Sequence, residues 1–135
     1  MMDAASIHAN RSDPVEIVVC ETCRHPAAPE GSPPAGAVFA DRLRAALSTC
    51  PDLADVRLTT MRCLMSCRRP CAVHVRAPGK MAYVLGDMSP ESQGVETLVA
   101  YVRAYREAAD GVVPFRQWPE GVKGRFVARV PPLAG

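Results

Sequence analysis

The sequence predicts an α/β domain in the order β-α-β-β-β-α, with a four-stranded mixed sheet, helices packed on it and an irregular C-terminal tail. Three observations predict it. Short β-branched or alternating runs recur at residues 15–20, 55–62, 71–77 and 81–87. Two longer stretches carry apolar residues at helical spacing. The 135 residues, 48% hydrophobic but only 5% aromatic, suffice for one domain with an aliphatic core and are too few for two ordinary ones.

The elements follow in order. Residues 1–14 are small and polar and end in Pro14, so a disordered lead-in is expected. VEIVVC, residues 15–20, reads as a buried strand ending at Cys20. ETCRHPAAPEGSPPAG is a Pro- and Gly-rich loop, long for a compact domain and so a candidate for function. From Ala37, residues Val38, Phe39, Leu43, Ala46 and Leu47 share one helical face, and Pro51 stops the helix near Thr49. DVRLTTMR, residues 55–62, alternates as a second strand leading to Cys63. CAVHVRA, residues 71–77, is a third strand, and Pro78-Gly79 turns the chain into MAYVLGD, residues 81–87, a fourth. Ser89 as N-cap and Pro90 at the first helical position predict a second helix with Val95, Leu98, Val99, Val102 and Tyr105 on its apolar face. The domain proper is placed at residues 15–110. The tail, 111–135, is expected to pack on it, with Phe115 and Trp118 covering one face of the sheet.

This order brings distant thiols together. A strand–helix–strand crossover makes the first two strands parallel, so Cys20 and Cys63 end at the same edge. The third strand, antiparallel to the others, starts from that edge. Cys20, Cys23, Cys63, Cys67 and Cys71 therefore converge, whereas the first helix carries Cys50 roughly 15–20 Å away.

Six cysteines without a secretion-type leader favour metal or redox chemistry over structural disulfides. The C-x2-C and C-x3-C pairs supply soft sulfur, which suits zinc or an iron–sulfur cluster. A second reading is a dithiol redox site at Cys20 and Cys23. Against it, a long loop separates Cys23 from the helix whose N-terminus would lower a thiol pKa. The third reading is cysteine as a small core residue, which suits Cys50 and Cys71 best.

The run CLMSCRRPCAVHVRAPGKMAYVLGDMSPES resembles the second half of the thioredoxin-like [2Fe-2S] ferredoxins, in which C-x3-C follows the second strand, a Pro enters a hairpin and Ser/Thr-Pro-Glu opens a helix. The resemblance spans about residues 15–108. It implies a thioredoxin-like fold, Cys63 and Cys67 as cluster ligands, Pro70 entering the hairpin, and Cys20 as a ligand at the end of the first strand. The pattern departs where those ferredoxins have a cysteine just before the first helix, because this chain has Gly31-Ser32-Pro33 there. Cys23, or alternatively Cys71, must supply the fourth sulfur. CETCRHP, CLMSC followed by a third cysteine four residues on, APGKMAYVLGD and ARVPPL resemble more closely a family of predicted metal-binding proteins of unknown function, some encoded near cobalamin-biosynthesis genes. The resemblance implies metal binding through Cys20, Cys23, Cys63 and Cys67, with a [2Fe-2S] cluster for one-electron transfer as the expected cofactor. Cys-ligated zinc or cobalt, serving metal or cobalamin metabolism, is the alternative.

The remaining candidates are weaker. His74 lies mid-strand and reads as a solvent-facing or hydrogen-bonded residue, while His25 is close enough in sequence to ligate zinc. Arg24, Arg68 and Arg69 flank the thiols and either offset thiolate charge and face an acidic redox partner or are plain solvated residues. The sequence has no Gly-rich phosphate loop, Ser/His/Asp set or placed carboxylate pair, which argues against an enzyme. A net charge of +2 gives no case for nucleic acid or membrane surfaces, and no apolar run reaches the roughly 18 residues of a membrane span. A cytoplasmic protein with a redox or metal-handling partner is expected, and a homodimer is compatible with the sequence.

Overall fold

A computed structural model describes residues 14–24, 29–65 and 69–133. The lead-in at residues 1–13, together with His25, Cys67 and Arg68, lies outside the described residues. The elements are β1 (Glu16–Cys20), α1 (Ala35–Ser48), β2 (Arg57–Met61), β3 (Val73–Arg76), β4 (Ala82–Leu85), α2 (Ser92–Glu107) and β5 (Phe126–Val130). They form a mixed α/β fold whose sheet runs β2-β1-β3-β4-β5. β1 pairs parallel with β2, while the β1–β3, β3–β4 and β4–β5 pairs are antiparallel.

The sheet therefore has five strands rather than four. The extra one, β5, comes from the tail expected to be irregular and extends the sheet beyond β4. Its residues are mostly exposed, so no clean alternation announced it in the sequence. The tail also holds two short 3-10 turns, at Phe115–Gln117 and Glu120–Val122. Trp118 packs on Phe126 with ring centroids 4.8 Å apart, but Phe115 stays 64% exposed and does not cover the sheet.

Pleating sends alternate strand residues to opposite faces. Ile17, Val19, Val73, Val75, Tyr83 and Leu85 join Phe39, Leu43 and Leu47 of α1 and Leu98, Val102 and Tyr105 of α2 in one core. Fully burying each such side chain contributes about 1.5–3 kcal/mol. α1 starts two residues earlier than its apolar face suggests, directly after Pro34, and Thr49 closes it by donating to the Ala46 carbonyl. α2 starts later than the Ser-Pro-Glu signal implies. Ser89 Oγ accepts from the Glu91 amide at 3.2 Å, but regular helix begins only at Ser92.

Cys71 also departs from expectation. It is not part of the third strand, which begins at Val73, and its backbone is left-handed at φ 62°. That conformation turns the chain into the strand and aims the fully buried Cys71 side chain into the main core. Cys50, after α1, stands at the opposite end of a 14-residue helix, about 20 Å long, and its sulfur donates to the Ala46 carbonyl.

Candidate metal centre

Cys20 ends β1 on the face opposite the main core, yet it is only 1% exposed. With Cys23 and Ala72 it forms a second small cluster, against which Leu64 packs. Three chain segments meet here. Cys20 N donates to the Ala72 carbonyl at 3.0 Å, and Glu21 N donates to the Met61 carbonyl at 2.9 Å. The Thr22 hydroxyl donates to the Arg62 carbonyl and lies 3.9 Å from the Cys20 sulfur. The C-x2-C turn is thereby stitched to the segments before and after the second cysteine group.

The α1 N-terminus closes the site from below, despite the loop of eleven residues between Cys23 and Ala35. Gly36 N donates to the Cys23 carbonyl at 3.0 Å. A Cβ on Gly36 would stand 1.9 Å from the Cys20 carbonyl oxygen, so only glycine fits. The separation that the sequence suggested between thiols and helix is absent.

Backbone amides converge on the sulfurs. Burial opposes ionisation of Cys20, but the Cys23 thiol and the Leu64 and Thr22 amides, donating to its sulfur, leave its pKa below the ordinary 9.0; as a neutral thiol it donates to the Arg62 carbonyl at 3.8 Å. Burial pushes Cys23 up to about 11; the Ala72 and Cys71 amides pull it down, and the interaction with Cys20 pushes it further up. Cys63 Sγ accepts from the Met65 amide at 3.2 Å, with Met65 Sδ 4.0 Å away. Cys71 is pushed up to about 12, by burial first and then by proximity to Cys23 and Cys20.

Cys20 and Cys23 are thus in mutual contact, Cys63 sits on the adjoining segment, and Cys71 turns into the core behind them. Among the described residues no three His, Cys, Asp or Glu side chains approach closely enough to hold a metal ion. The donor chemistry nonetheless fits a thiolate-bound group, because amide hydrogen bonds to sulfur stabilise the charge of coordinated thiolates. Sequence reasoning missed Thr22, Gly36 and the role of Arg69. Gly36 had a signal, a glycine opening a helix where Ala would be preferred.

Of the flanking arginines, Arg24 and Arg69 are described, and both bind backbone carbonyls. Arg24 donates to the Ser32 carbonyl at 2.8 Å. Arg69 donates to Asp87 at 2.7 Å and to the carbonyls of Gly124 and Phe126. It is neither a freely solvated residue nor a group aimed at sulfur. His74 is half-buried on the uncovered face of the sheet and donates to the Tyr83 backbone. Among the described residues no helix is long and apolar enough to cross a membrane.

Residues 17–132 match the model of a family described as a protein of unknown function, DUF1636. No curated protein matches. Among solved structures, the chain is similar to a thioredoxin-like [2Fe-2S] ferredoxin from Aquifex aeolicus, with a TM-score of 0.58 and 18% identity over 92% of this chain and 100% of that one. That likeness establishes the fold as thioredoxin-like.

Proposed function

Because the chain belongs to DUF1636, a family of unknown function, its role must be argued from its residues, and we propose that it is a [2Fe-2S]-binding one-electron carrier. Cys20, Cys23, Cys63 and Cys67 would be the ligands. When bound, such a cluster supplies a one-electron couple tuned by hydrogen bonds to sulfur and by solvent exposure. The observation that carries the reading is that backbone amides lie within donating reach of the sulfurs of Cys20, Cys23 and Cys63, three thiols from two distant stretches of the chain. An amide donor at sulfur favours the thiolate form, working against the burial that holds Cys23 at about 11. The likeness to a [2Fe-2S] ferredoxin supports the same reading. Cys23 is preferred over Cys71 as fourth ligand, because Cys23 shares the small cluster with Cys20 while Cys71 points into the main core.

A dithiol oxidoreductase at Cys20 and Cys23 is the second reading, favoured by their direct contact and by the first turn of α1 packed beneath them. Anaerobic purification followed by iron and sulfide analysis separates the two. The cluster reading expects a red-brown protein with about two irons and two sulfides per chain, bleached by dithionite and lost in Cys20→Ser, Cys63→Ser and Cys67→Ser. A colourless protein that cycles between dithiol and disulfide supports the second reading. A colourless protein with stoichiometric zinc or cobalt refutes both in favour of metal handling.

A further inference from the structure

We propose that Arg69 is a positioning residue that latches the thiol-bearing segment to the C-terminal strand, making the tail part of the framework of the site. The proposal rests on the reading of Cys20, Cys23, Cys63 and Cys67 as ligands, with Cys71 and its backbone packed behind Cys23. Arg69 lies two residues before Cys71, and its guanidinium holds two other parts of the chain at once. Nε donates to the Asp87 carboxylate at 2.7 Å, Nη1 to the Phe126 carbonyl at 3.3 Å and Nη2 to the Gly124 carbonyl. The planar fork of arginine allows this three-way grip, whereas lysine offers a point charge.

The backbone repeats the connection. Asp87 N donates to the Arg69 carbonyl at 3.3 Å, Met88 N to the Cys71 carbonyl at 3.4 Å and Gly86 N to the Arg125 carbonyl at 2.7 Å. Arg125 returns a bond from its own guanidinium to the Asp87 carbonyl at 3.0 Å. A Cβ on Gly86 would stand 2.7 Å from Arg69 Cβ, so the two backbones lie as close as glycine allows. Asp87 holds a left-handed φ of 57°, which turns its carboxylate back toward Arg69. Residues 69–71, 86–88 and 124–126 thus form one woven unit at the cysteine end of the sheet. Its one charged side-chain pair is Arg69–Asp87 at 2.7 Å. Without the latch, the turn carrying Cys71 and the amides that face Cys23 is free to open locally.

The test is cysteine-by-cysteine alkylation of metal-free, reduced full-length protein, followed by mass spectrometry, in wild type, Arg69→Gln and Arg69→Lys. Cys50, at the far end of α1, is the internal reference. Arg69→Gln should raise the alkylation rate of Cys71 and Cys23 at least tenfold while Cys50 changes less than twofold, and Arg69→Lys should fall between. Equal acceleration at Cys50 and Cys71 would show a merely global loss of stability and overturn the proposal, as would no acceleration at all. In protein carrying a cluster, Arg69→Gln should also lose its visible absorption to a chelator about 10–100-fold faster, the usual range for residues that support ligands. If wild type carries no cluster, the ligand reading fails while the alkylation result still decides the latch.

Discussion

Gly36 shows how a single atom decides the thiol site. Adding a methyl there drives Cβ to 1.9 Å from the Cys20 carbonyl, and neither backbone has a flexible end that could yield. Gly36→Ala should cost about 3 kcal/mol, the upper end of overpacking penalties, read as a shifted denaturant midpoint, and should reduce metal content in the folded fraction. Lys80, 5% exposed, shows the same economy at the other end of the sheet. Its ammonium donates to the carbonyls of Tyr105 and Arg106 at 3.2 and 2.9 Å, satisfying the last turn of α2, and stands 5.3 Å from the Tyr105 ring centre. Burial, then Arg106, lower its pKa against the opposing pull of Glu107 and Asp110. Lys80→Met takes the Lys80 donor from the Arg106 carbonyl and leaves the Tyr105 carbonyl to the Ala108 amide alone, and should cost about 1–3 kcal/mol, checked by chemical denaturation, with the spectrum of any bound cluster unchanged.

At the scale of elements, β5 is the piece that joins the tail to the sheet. Phe126 stacks within 5.4 Å of Tyr83, 5.6 Å of Tyr101 and 4.8 Å of Trp118, centroid to centroid. Phe126→Ala should cost about 3 kcal/mol, visible as a lower melting temperature and a shifted Trp118 emission. How legible each element was follows from its physics. β1 was read to the residue at its C-terminal end, because IVVC is apolar on both faces and therefore continuous. β3 and β4 were read through the Pro-Gly turn between them. β5 was missed because FVARV carries its cationic Arg129 above the Tyr83 ring, on the face where an apolar residue would have signalled burial. The convergence of Cys20 and Cys63 followed from crossover geometry alone. The Arg69–Asp87 pair did not, since nothing local in either residue specifies a partner eighteen positions away.

Over the whole molecule, charge and topology give two further expectations. On the uncovered face, burial and then Arg76 hold the His74 pKa below its ordinary 6.5, against the pull of Glu16 and the Tyr83 backbone. The unfolded chain therefore takes up this proton first. Its contribution is fully present above pH 6.5 and is lost as the pH falls from there through the lower folded value. Denaturation across that window should show a slope that His74→Gln flattens. Cys50→Ser should leave metal content and spectrum unchanged, because α1 carries that thiol to the opposite end; loss of metal with native circular dichroism would contradict this. The strand pairing also sets an order in time. β1 pairs with β2 on one side and β3 on the other, and both lie far later in the chain, so the strand between them is made long before its neighbours. At a synthesis rate of about 5–20 residues per second, Cys20 and Cys23 precede Cys63 by roughly 2–8 s. During that interval the only other thiol of the chain to be made is Cys50. A group that needs sulfur from both halves can be completed only after translation has passed Cys63, and it requires that Cys20 and Cys23 have not been oxidised in the meantime.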